Sequence, residues 1–119
     1  MAKAKTVWGI DIGQMALKAL KLRSVEGQLF VDAFDVIEHP KMLCQDAAAA
    51  DQLVQNALAQ FLARNNVSGS SVSVAMPGRS SFTRFVKLPP VEKSKIPDIV
   101  QFEAGQQIPF PINDVVWRY

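Results

Sequence analysis

The chain of 119 residues has one cysteine, one histidine and one tyrosine. Cys44 has no second thiol to pair with, so an intramolecular disulfide is excluded, and with only His39 nearby it supplies no zinc ligand set. It reads as a half-exposed thiol in a connecting segment. Charge of one sign is nowhere concentrated: 13 basic and 11 acidic side chains give a formal net charge of +2 without long runs of either. A nucleic-acid footprint would need clustered Lys and Arg with aromatics between them, so that class of partner is set aside. No apolar run reaches the length of a membrane span. The N-terminal MAKAKTVW is basic, but Asp11 and Gly13 break the run behind it before it can serve as the apolar core of a signal peptide. A cytosolic chain without direct membrane insertion is expected.

What is present suits a folded domain. Hydrophobic residues at 49% and charged residues at 20% are the proportions of a globular chain rather than a disordered one. The length fits one small domain or two incomplete ones, with room to bury a core.

Residues 6–23, TVWGIDIGQMALKALKLR, organise the rest. Residues 7–12 are mostly β-branched or apolar, Gly13 offers a backbone with no Cβ, and residues 16–23 resume an extended pattern, giving strand, turn and strand. In the second strand Lys18 shares its parity with Leu20 and Leu22, which places a lysine on an apolar face next to the turn. Asp11 lies two residues before Gly13 and Lys18 five after it. A carboxylate and an ammonium thus converge on a bend whose amides a ligand can approach, which is phosphate chemistry: amides and lysine meet the anion, and the aspartate holds a hydrated divalent cation. The plainer reading is a hairpin that only packs.

Further on, Glu26-Gly27 marks a turn and residues 28–37 a third strand. Leu29, Val31, Ala33 and Ile37 share one parity and Phe30, Phe34 and Val36 the other, so both faces are expected to be covered. Pro40 closes this meander, and residues 41–45 lead to Asp46, the expected N-cap of a helix over 47–64. Its Leu53, Val54, Ala57, Leu58, Phe61 and Leu62 form one apolar stripe. Residues 71–76 alternate as a strand, which the helical crossover sets parallel to an earlier one. The order is β-β-β-α-β. A boundary is expected at Met76-Pro77-Gly78, dividing the chain into 1–78 and 79–119. Beyond it, residues 81–88 (SFTRFVKL) read as a strand, Ser94 as the cap of a helix over 95–107 with Pro97 and Asp98 in its first turn, and 115–119 as the start of another strand. Trp8 and Trp117 are expected as core aromatics.

Two resemblances rest on these residues. The spacing D-x-G-x-x-x-x-K of Asp11, Gly13 and Lys18 resembles the first phosphate-binding hairpin of the actin-like ATPases, which include actin, the sugar kinases and the cell-division protein FtsA. The β-β-β-α-β order is similar to the opening half of their ribonuclease H-like fold. More specifically, M-P-G followed by a strand ending in K-L-P-P, a helix carrying F-E-A-x-Q-Q, and I-P-F-P-x-x-x-V-V-W-x-Y resemble the type IV pilus assembly PilM family, related to FtsA. With VWGIDIG at the front, this resemblance spans nearly the whole chain.

It implies an α/β fold comprising subdomain 1A over 1–78 and part of subdomain 1C, an incomplete β-α-β module, over 79–119. It further implies a cytoplasmic component of pilus or type II secretion machinery that binds the cytoplasmic tail of a PilN-like membrane protein; Phe82, Phe85 and Leu88 are read either as contacts of that partner or as core packing of their own strand. Asp11, Gly13, Gln14 and Lys18 would meet ATP, with Asp11 holding Mg2+ through water. Family members usually carry hydroxyl residues after the D-I-G; here Gln14, Met15 and Ala16 stand there, so phosphate contacts rest on backbone amides and Lys18. The family's proteins are longer, with a second phosphate hairpin and an adenosine region expected after Tyr119. ATP and Mg2+ therefore belong to the intact protein, none is expected to bind residues 1–119 alone, and this segment by itself is expected to be inactive. Self-association through an unpaired strand edge, a nucleotide-free scaffold and a small-molecule kinase stay open as readings.

Overall fold

A computed structural model describes residues 5–119; the first part of the basic N-terminal segment, residues 1–4, lies outside them. The chain divides into one compact unit ending at Ser80 and a second from Ser81 to Tyr119. The first is built on a four-stranded sheet of order β3-β2-β1-β4. Strands β1 (Lys5–Ile12), β2 (Ala16–Val25) and β3 (Gln28–Glu38) are joined as an antiparallel meander, and β4 (Ser71–Ala75) lies parallel to β1 after the helix α1 (Ala47–Arg64). The β-β-β-α-β order is therefore as expected, and the α/β fold is compatible with the N-terminal part of an actin-like ATPase.

Local chemistry accounts for each element. Val25 pairs with Gln28, and between them Glu26 and Gly27 both have positive φ, 51° and 81°, the mirror-image turn that matches strand twist. Asp46 caps α1 by accepting from the amide of Ala49 at 3.2 Å, and the amide of Asn65 closes the helix on the Phe61 carbonyl at 2.9 Å. One face of α1 lies on the sheet, burying Ala57 and Phe61 against Trp8, Ile10 and Ile12 of β1 and Leu17 and Ala19 of β2. Trp8 and Phe61 meet edge to face, ring centres 5.0 Å apart. Leu62, expected in the apolar stripe, is exposed. Asp35 on β3 ties the sheet to the helix end, accepting from Asn65 Nδ2 at 2.7 Å and from Arg64 at 3.4 Å.

The third strand departs from simple alternation. A bulge opposite Lys21 and Leu22 shifts the register, so that Val31 faces Leu22 while Phe34 faces Leu20. Leu29 and Val31 thereby join Phe34 and Val36 on the side away from α1, together with Lys18, Leu20 and Leu22. The expectation that both faces are covered fails here: this second face is open, with Phe34 76% exposed. The parity of Lys18 is as read from the sequence, but its apolar face is the open one.

In the second unit, the helix α2 (Ile96–Gln107) has Pro97 and Asp98 in its first turn. Its start corrects the reading of Ser94 as a cap: a 3-10 turn over Lys93–Lys95 runs into the helix, and no side chain caps it. Residues 81–88 and 115–119 are not strands. A strand exists only through ladder hydrogen bonds to a neighbouring strand, and among the described residues the sheet contains β1 to β4 and neither of these segments. Trp117, expected in a core, is half-buried and stacks on Tyr119 with ring centres 6.3 Å apart.

Candidate functional site

The β1–β2 hairpin brings together the four residues singled out for phosphate chemistry. Asp11 and Lys18 stand directly opposite each other in the antiparallel register, one pair before the last pair, Ile12 and Leu17. Both side chains are exposed on the open face. They form no ion pair with each other; the ion pairs among the described residues join Arg23 to Asp32, Lys41 to Asp46 and Arg64 to Asp35. An ammonium and a carboxylate are thus presented side by side and uncommitted, over a shallow depression of about 420 Å³ that Leu20, Phe34, Val36 and Ser73 also line.

Gly13 opens the turn between the strands. Its φ is not positive, so the requirement for glycine is steric: a Cβ here would lie 3.0 Å from the Ala16 carbonyl oxygen and 3.8 Å from Oδ2 of Asp11. The same Ala16 carbonyl accepts from the Gly13 amide at 3.0 Å, which closes the hairpin. Among the described residues the amides of Gln14 and Met15 find no acceptor. The side-chain oxygen of Gln14 is buried without a partner.

Sequence reasoning missed the support beneath this turn. His39, just beyond β3, is buried; its Nε2 donates to the Gly13 carbonyl at 3.2 Å and its amide to the Met15 carbonyl at 2.8 Å. The amide of Leu43, in the 3-10 turn Leu43–Gln45, donates to the Gln14 carbonyl at 3.0 Å. The hint in the sequence is that the chain's single histidine stands before Pro40 at the end of the third strand. A second cavity, about 440 Å³, lies on the helix side of the turn between Ile12, Gln14, Leu43, Val54 and Arg79.

The residues assigned to partner binding lie in the second unit and do not join the hairpin site in one element. Phe82 and Phe85 are exposed, Phe85 almost completely at 98%, and Leu88 is half-buried. No group of three or more His, Cys, Asp or Glu side chains among the described residues is placed to hold a metal ion directly. Asp11 stands at the turn as a single carboxylate.

No helix among the described residues is long and apolar enough to cross a membrane. A family model described as type IV pilus assembly protein PilM matches residues 9–119. The match runs from the first strand through the hairpin, α1 and α2 to the last residue, and the chain therefore belongs to the PilM family of type IV pilus assembly proteins.

Proposed function

We propose that this chain supplies the first phosphate-binding hairpin of an ATP site in an actin-like, FtsA-related pilus-assembly protein, and that the protein works at the cytoplasmic face of the membrane by binding the cytoplasmic tail of a PilN-like membrane protein. The observation that carries the nucleotide half is the register pair Asp11 and Lys18, uncommitted to each other beside the Gly13 turn. Lys18 and the amides of Gln14 and Met15 meet the phosphate oxygens, and Asp11 holds Mg2+ through water. Each charge-assisted bond contributes about 1.5–3 kcal/mol net, against roughly 4 kcal/mol or more lost on association, so residues 1–119 alone do not retain ATP usefully. ATP acts in the full-length protein as a structural or switching ligand.

The partner half rests on the segment around Phe82 and Phe85, whose rings are exposed on a backbone that, among the described residues, is not part of the sheet. Such a backbone suits a short apolar peptide that adds main-chain hydrogen bonds and fills side-chain sites. The test is titration of the full-length protein with a PilN-like N-terminal peptide, with and without Mg-ATP, alongside Lys18→Ala and Phe85→Ala. Lys18→Ala abolishing nucleotide binding and Phe85→Ala weakening the peptide supports both halves. Peptide binding that neither nucleotide nor Lys18→Ala changes favours the nucleotide-free scaffold.

A further inference from the structure

The three carbonyls of the turn, on Gly13, Gln14 and Met15, are all held from beneath by the segment that follows β3. His39 supplies two of the three donors, Nε2 to Gly13 and its own amide to Met15, and Leu43 supplies the third. In a trans peptide the C=O and the N–H of the next residue point in opposite directions. Holding the Gly13 carbonyl inward therefore turns the Gln14 amide outward, and holding the Gln14 carbonyl inward does the same for Met15. A free carbonyl facing a phosphate would repel it, whereas successive outward amides form an anion-binding concavity. Because the Gly13 carbonyl only accepts, Nε2 is the donor of that bond, and Nδ1 is left buried without a partner.

We propose that His39 is the positioning residue of the phosphate turn: its ring N–H, acting through the Gly13 carbonyl, presets the Gln14 amide for a nucleotide phosphate. The proposal rests on the nucleotide reading above, but its core, the preset turn, has a readout that needs no nucleotide. His39→Leu fills the space without a donor; His39→Gln places an amide N–H the same number of bonds from Cα; His39→Asn falls short of the carbonyl and serves if the Leu variant does not fold.

In the full-length protein without nucleotide, His39→Leu is expected to speed amide exchange at Gly13 and Leu43 about tenfold while exchange at Trp8, in the middle of the sheet, stays unchanged. It is also expected to raise the Kd for Mg-ATP about tenfold, with His39→Gln within about twofold of the parent on both measures. Unchanged exchange at Gly13 and Leu43, or acceleration spread equally to Trp8, overturns the proposal, as does a Gln variant no better than Leu. If the parent protein binds no ATP and Lys18→Ala changes nothing, the nucleotide reading fails, and the exchange pattern still decides whether His39 presets the turn.

Discussion

A methyl group at position 13 would meet the Ala16 carbonyl oxygen at 3.0 Å, and that oxygen is fixed by its bond to the Gly13 amide. Gly13→Ala must therefore push that carbonyl back by a few tenths of an ångström against its own bond to residue 13. The expected loss is about 1–3 kcal/mol of unfolding free energy, measured by denaturant titration, with a weaker Mg-ATP affinity in the full-length protein. The residue type was legible in the sequence, whereas the wall that demands it was not, because that wall appears only once the strands have paired. His39 lay further from view, since its contact spans 26 residues and no local pattern announces it. Asp46 is the opposite case: a short polar residue before an alanine run is a cap on propensity alone. Its carboxyl is held below the ordinary carboxylate range, first by the hydrogen bond from Lys41 and then by the Ala49 amide. A carboxylate with a lowered folded-state pKa contributes stability that is present above its unfolded pKa and lost as pH falls through the folded one. Asp46→Asn keeps a cap oxygen without the charge, and should lower the melting temperature modestly at neutral pH but not at acid pH, flattening the acid limb of a plot of melting temperature against pH.

Periodicity sees an element's regular part. The stripe of α1 was readable because each apolar residue recurs on one side of the helix, and the structure places Ala57 and Phe61 at its centre, fully buried. Phe61→Ala removes the edge-to-face partner of Trp8 and leaves a void in the layer between helix and sheet; a loss of about 3–5 kcal/mol is expected from thermal or denaturant unfolding. Strand β3 shows where the same logic breaks down. Counting by twos put Leu29 and Val31 with Ile37, but the bulge inserts one residue, and one residue is enough to exchange faces. The bulge leaves no compositional mark, so only the paired register reveals it. A matched pair of substitutions checks the consequence in residues 1–119. Phe34→Ser, on the open face, should shift stability by no more than about 0.5 kcal/mol, whereas Ile37→Ser, three residues on and buried against Leu43 and the helix layer, should be severely destabilising. Equal effects would mean that the open face is packed in solution.

At the scale of the whole molecule, the two units differ in what holds each together. Every residue of the hydrophobic core lies before Ser80, and between Ser81 and Tyr119 none is buried. The second half is for that reason less legible in the sequence than the first. Its phenylalanines and valines have the composition of strands, but composition makes a strand only when a neighbour accepts its hydrogen bonds, and sequence cannot say whether that neighbour is present. The helix α2 formed as expected because its bonds close within itself. Local opening follows buried contact, so proteolysis should separate the two halves. Brief digestion of residues 1–119 with a protease of broad specificity is expected to cut first between 81 and 119, and mass spectrometry should then find a persistent fragment ending near Ser80. In the full-length protein, a PilN-like peptide seated on Phe82 and Phe85 should slow cleavage around those residues and leave the first unit's pattern unchanged. Protection that spreads instead to the Gly13 hairpin would show that peptide binding is felt at the turn, and would link the two proposed sites through the protein.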